Sequence, residues 1–317
     1  MNAPTGSAVG LAPPVQHAHS TMHCNLNTVD GPRAVAFYMA AFGVEPRMRS
    51  VEDSGDATAM GLGSDTASIT TFLYDRRGPR AAPALELVDW SRPATSRPRP
   101  GQVPSGFTAI GYRVPSLGRL GARLTALGHP ATGESKGLNV RGRTLPGLHT
   151  TDPDGVRVEV VEVPPVADDP QADGILSHAR MACTDLDRTL GWYASIGWTE
   201  RARGQDGGGA WASLVLPEDP TFSLEFTEDP ARGDGASRPA NTQGLYRMAL
   251  AVDDVRAAAA ALAADGRCGE VPETVTIPMP DTPTGGFTVL FLADPDGAVV
   301  ELAERPRSQV RRPSAPA

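Results

Sequence analysis

The chain is short of cysteine, of long apolar runs and of positive charge, and each shortage closes off a class of function. Its three cysteines, Cys24, Cys183 and Cys268, are odd in number and far apart, which gives neither a disulfide framework nor zinc-finger spacing, so reduced thiols are expected. No stretch of about 18 or more apolar residues occurs, and residues 1–16 have neither the basic start nor the apolar core of a signal peptide. A soluble, cytoplasmic protein with no membrane partner is expected. Lys and Arg number 29 against 37 Asp and Glu, a formal net charge of −8, which argues against a broad basic surface for nucleic acid. The partner that remains is a small molecule, with the protein a monomer or homodimer.

What the chain does have is a repeat. His23 to Tyr38 (HCNLNTVDGPRAVAFY) returns at His178 to Tyr193 (HARMACTDLDRTLGWY), with an Asp seven residues after each His and an aromatic pair closing each segment. The alternation followed by helical spacing predicts a strand, a capped helix start at Asp30 or Asp185, and a helix. A second repeat interleaves: Asp152-Pro153-Asp154-Gly155 followed by VRVEVVE recurs as Asp294-Pro295-Asp296-Gly297 followed by AVVELAE. Strand and helix patterns at Phe107–Gly128 and Leu245–Gly266 open these units, so four modules of the form βαβββ are expected. At 317 residues and 40% hydrophobic content, the chain has room for two domains with a core each. The boundaries read from composition are a disordered tail at 1–16, a first domain at 17–164, an acidic, proline-containing linker at 165–174, a second domain at 175–304, and a mobile, arginine-rich tail at 305–317.

Modules that open on His, pass through an FY or WY pair and a DPDG turn, and close on VEV or VEL resemble the vicinal oxygen chelate superfamily of glyoxalases, bleomycin resistance proteins and extradiol dioxygenases. The resemblance covers nearly all of residues 19–304. It implies an α+β fold in which the four βαβββ modules pair into two similar eight-stranded cups of mixed sheet, each with a site inside. It also implies one divalent transition metal, among Zn, Mn, Fe, Ni and Co, bound by imidazole and carboxylates.

Alternation along the strands marks the side chains that face each cup. The resemblance puts His23, Ala109, His178 and Arg247 at equivalent first-strand positions, and the last strands supply Glu86, Glu159, Glu225 and Glu301. With consecutive modules paired, His23, Glu86 and Glu159 are the expected metal ligands, with Ala109 leaving an open position, and Glu159 or Glu86 the expected base. His178, Glu225 and Glu301 are the weaker counterpart set, because Arg247 stands there and is expected to pair with Glu301 or Glu225. Asn25, Asn27, Arg113, Arg180 and Arg247 are inward-facing candidates for substrate oxygens. His19 shares the face of His23 and is a candidate rim ligand; His149 is a candidate neighbour of the site, and Trp90, Trp192, Trp198 and Trp211 read as core. Two functions follow: a metal-dependent lyase or isomerase, less favourably a ring-cleaving dioxygenase, acting on vicinal oxygens; or a metal-free binding or resistance protein, favoured by Ala109 and Arg247.

Overall fold

The computed structural model describes residues 18–98, 106–163, 174–232, 238–279, 281 and 285–312. The tail at 1–16 and all of the 165–174 linker except Gly174 lie outside the described residues. Module one comprises β1 (Ser20–Thr28), α1 (Gly31–Phe42), β2 (Glu45–Gly55), β3 (Thr66–Tyr74) and β4 (Ala84–Arg92). Module two comprises β5 (Phe107–Val114), α2 (Leu117–Ala126), β6 (Thr132–Val140), β7 (Arg143–Thr151) and β8 (Arg157–Glu162). Module three comprises β9 (Ile175–Cys183), α3 (Leu186–Ser195), β10 (Thr199–Asp206), β11 (Gly209–Leu216) and β12 (Asp219–Glu228). Module four comprises β13 (Gly244–Val252), α4 (Val255–Asp265), β14 (Val275–Pro278), β15 (Gly286–Ala293) and β16 (Val299–Glu304). Each helix begins on a side chain that accepts a backbone N–H three residues on: Asp30 from Arg33, Ser116 from Arg119, Asp185 from Arg188 and Asp254 from Ala257.

The sixteen strands form two eight-stranded mixed sheets, as the α+β expectation has it, but modules one and two do not share a sheet, nor do modules three and four. The strand order is β14-β15-β16-β13-β1-β4-β3-β2 in the first sheet and β10-β11-β12-β9-β5-β8-β7-β6 in the second. Module one therefore pairs with module four, and module two with module three, where the expectation paired one with two and three with four. The physical reason is that the first strand of every module is an edge that must be covered, and all four edges offer the same backbone groups. Antiparallel pairing of β1 with β13 closes the first cup, and of β5 with β9 the second. The outer faces of both sheets share one hydrophobic core with the helices, in which Phe42 of α1 stacks on Tyr112 of β5 at 4.1 Å and both Cys24 and Cys183 are buried.

The two sequence repeats are joined to each other. Tyr38 on α1 donates its hydroxyl to Asp152 of the next module at 2.8 Å, and Tyr193 on α3 does the same to Asp294 at 3.1 Å. The other oxygen of each aspartate accepts two backbone N–H groups of its own turn, from Asp154 and Val156 or from Asp296 and Ala298. Burial nevertheless pushes both carboxyls up, to about 6.

Because the folded state holds those two protons more tightly than the unfolded chain, their stabilisation is present at low pH and is lost as pH rises through about 6. Glu159 and Glu301, held at about 2, act in the opposite sense and lose their contribution as pH falls below the ordinary carboxylate range. Thermal unfolding scanned against pH is therefore expected to show a maximum near roughly pH 4, with stability falling from there toward pH 6. Asp152→Asn with Asp294→Asn should flatten the alkaline limb; an unchanged limb would contradict this assignment.

The end of the chain is not a loose tail where it is described. Arg312 donates to Asp219 at 2.8 Å, and Arg307 pairs with Glu218 at 2.7 Å, so residues 305–312 are fastened across β12 and lie beside the first cup.

Candidate ligand-binding site

The first cup encloses a cavity of about 320 Å³. Its walls are apolar, with Met22, Met48, Phe72, Trp90, Met279 and Phe287 among the lining residues. Strand alternation carries Glu86, Val88 and Trp90 to one face of β4, while Phe72 lies opposite Glu86 on β3. Met22 shares the cavity with His23, its neighbour in sequence, because the β1–β13 register shifts between Thr21 and His23 and re-aims the side chain.

Four charged or titratable side chains form the floor: His23 from β1, Glu86 from β4, Arg247 from β13 and Glu301 from β16. Arg247 donates Nε to Glu301 at 2.8 Å and Nη2 to both oxygens of Glu86 at 3.1 and 2.9 Å. Among the described residues its Nη1 meets only the Met60 sulfur, at 3.9 Å. His23 Nε2 lies 3.3 Å from Glu86 and 3.7 Å from Glu301 but is buried without a hydrogen-bond partner, and the Phe72 ring meets its own edge-on at 5.5 Å. Burial alone would raise the Glu301 carboxyl; Arg247 and His23 override it and hold it at about 2. Burial likewise opposes the charge on Arg247, but Glu86 and Glu301 outweigh it and raise its pKa.

These donors do not fit a divalent metal. The guanidinium takes the fourth first-strand position and already uses Glu86 and one oxygen of Glu301. Its repulsion from a dication at about 4 Å, with an effective dielectric near 20, is roughly 8 kcal/mol. Among the described residues no group of three His, Cys, Asp or Glu is placed to hold an ion. What the floor can do is exchange hydrogen bonds or a proton with a ligand, through His23 Nε2 and Arg247 Nη1.

The second cup carries His178, Glu159 and Glu225, and Arg141, Arg157 and Arg180 converge on its carboxylates. Glu159 lies 3.5 Å from His178 Nε2 and accepts from Arg180 Nε at 2.7 Å and Arg157 Nε at 3.2 Å. Burial opposes its charge, but His178 and Arg180 hold the carboxyl at about 2. Glu225 is saturated by the Ser213 and Ser223 hydroxyls and the Arg141 N–H. Arg141 and Gly142, with φ 58° and 72°, turn the β6–β7 hairpin. A Cβ on Gly142 would come within 2.4 Å of that of Ala202, so the hairpin tip rests on β10 and closes the cup.

The expected trio is thus divided. His23 and Glu86 meet, but Glu159 belongs to the other sheet, beside His178; Glu301 takes its place next to His23, and Glu225 stays with His178. Arg247 pairs with Glu301 and with Glu86 rather than Glu225. Asn27 is not free for a substrate: its amide N–H groups go to the carbonyls of Ala240 and Thr242, and its oxygen accepts from Trp90 Nε1. Asn25 is fully buried opposite Glu86 in the β1–β4 register, with no partner for its amide. Arg180 is tied to Glu159, and Arg113 is half-buried with an unpartnered Nε. His19 bonds the Arg305 carbonyl at 3.0 Å instead of reaching the floor. His149 binds Glu134 at 2.6 Å. Trp192 and Trp198 are core, whereas Trp90 is a cavity wall that alternation from Glu86 would have found.

A family model described as the glyoxalase/bleomycin resistance protein/dioxygenase superfamily matches residues 21–160 and 175–302. Glyoxalase I from Zea mays superposes with a TM-score of 0.62 at 18% identity, covering 91% of this chain and 92% of that one. A provisionally named dioxygenase from Bacillus subtilis gives a TM-score of 0.63 at 13% identity, covering 94% of this chain and 93% of that one. At such identities the likeness is one of fold. A search of curated proteins finds no match. With the family model matched over both halves, the chain belongs to the glyoxalase/bleomycin resistance protein/dioxygenase superfamily.

Proposed function

We propose that the first cup is a receptor for an apolar, ring-containing small molecule and that it works without a resident metal. The observation that carries the reading is Arg247, whose guanidinium bridges Glu86 and Glu301 at the base of the cavity, where it supplies the positive charge those two buried carboxylates require. The apolar walls supply affinity by burying ligand surface, and His23 Nε2 with Arg247 Nη1 orients a ligand oxygen or nitrogen. Extraction of a donor's proton by His23, backed by Glu86, is the chemistry such a floor offers beyond binding.

Titration with the uncharged fluorophore N-phenyl-1-naphthylamine, after exhaustive treatment with EDTA, tests the reading. Saturable binding that is unchanged by the chelator and lost on Phe72→Arg is expected. No binding, or binding that returns only with added zinc, nickel or manganese, contradicts it.

A further inference from the structure

The cavity has a second polar end. Arg305 follows directly after β16, four residues beyond Glu301, which places it roughly 13 Å from the floor at the rise of an extended strand. It is half-buried, and among the described residues its side chain makes one hydrogen bond, to the Pro79 carbonyl at 3.1 Å. Among the described residues no carboxylate lies within ion-pair distance of it, whereas Arg47 is matched with Glu45 at 2.6 Å, Arg77 with Asp75 at 2.7 Å and Arg312 with Asp219 at 2.8 Å; Arg80 bonds the Ser308 carbonyl at 3.2 Å. The buried Tyr74 lines the same cavity.

A cation in this position is costly. Burial lowers the pKa of Arg305, and Arg312 and Arg80 add to the shift while only Tyr74 opposes it. The rim acids Glu52 and Asp56 do not answer it: Glu52 is tied to the Ser54 N–H, and Asp56 to the N–H and hydroxyl of Thr58. At the floor Glu86 and Glu301 are engaged by Arg247. An arginine left with one neutral acceptor on a mostly apolar wall is arranged to receive an anion, and a charge-assisted bond there would relieve the cost of its burial.

We propose that the ligand of the first cup is an organic acid, an apolar ring body ending in one carboxylate or sulfonate, and that Arg305 is the residue that selects for the acid group. This rests on the receptor reading of the cup. The ring body lies between Phe72, Trp90 and Phe287, and the anion meets Arg305 near the Tyr74 hydroxyl.

Two fluorophores with the same ring system separate the two ideas: 8-anilinonaphthalene-1-sulfonate carries the anion, and N-phenyl-1-naphthylamine lacks it. Arg305→Gln is expected to weaken the sulfonate about tenfold or more and to leave the uncharged dye within about twofold, with Arg305→Lys recovering most of the loss. The sulfonate affinity of the unaltered protein should also fall with rising salt, while the neutral dye's stays level. Equal effects of Arg305→Gln on both dyes, no effect on either, or a salt-independent sulfonate affinity overturns the role of Arg305 and leaves the receptor reading standing. Failure of both dyes to bind the unaltered protein removes the receptor reading, and the inference with it.

Discussion

Arg247→Ala is expected to lower the stability of the protein at neutral pH by about 3–5 kcal/mol, because it leaves two carboxylates buried without their cation. The guanidinium is in contact with both Glu86 and Glu301, and all three side chains are almost fully buried. Denaturant unfolding in EDTA reads this loss directly. The same variant should gain a response the unaltered protein lacks: with the guanidinium gone, His23, Glu86 and Glu301 are released to draw together around an ion, as a catalytic-type metal site requires. Zinc at 100 times its dissociation constant would return about 2.7 kcal/mol. A loss under about 1 kcal/mol, or equal stabilisation of both proteins by zinc, contradicts the role given to Arg247.

The second large effect is expected at Gly111 on β5. A Cβ there would lie 2.0–2.3 Å from three ring atoms of His178, whose side chain is fully buried between Glu159 and Ser177. With the His178 ring fully buried against this strand, Gly111→Ala should cost about 3 kcal/mol. Combining it with His178→Ala should remove most of that cost, and a double-mutant cycle would record the coupling. Binding of N-phenyl-1-naphthylamine in the first cup should survive all three variants, since the second sheet contributes no wall to that cavity. Strict additivity of the two changes would show that the packing of Gly111 on His178 is not what fixes this position.

The sequence exposes what is periodic or repeated and hides what depends on distant partners. Alternation places His23, Glu86, Arg247 and Glu301 on inward faces, and all four do meet at one floor. It cannot tell which module covers which edge, since four first strands offer the same backbone groups, and so Glu159 is assigned to the wrong histidine. The paired repeats are legible as motifs, but their joint role, a helix tyrosine donating to the turn aspartate of the next module, depends on a distance no local pattern contains. Arg141 and Arg305 escape notice for different reasons. One reaches into its cup from a hairpin tip, and the other follows the last strand in an arginine-rich stretch that reads as solvated. Asn27 shows the opposite error: a polar side chain that faces inward is used up by backbone carbonyls at 240 and 242.

The central claim is that Arg247 is the built-in cation of the first cup and takes the place of a metal. A calorimetric titration of zinc into the unaltered protein and into Arg247→His, both stripped with EDTA beforehand, tests it most directly. The account predicts no binding at the floor of the unaltered protein and stoichiometric binding by the variant, abolished by a further Glu301→Gln change. Stoichiometric zinc binding by the unaltered protein that is lost on Glu86→Gln or Glu301→Gln would contradict it.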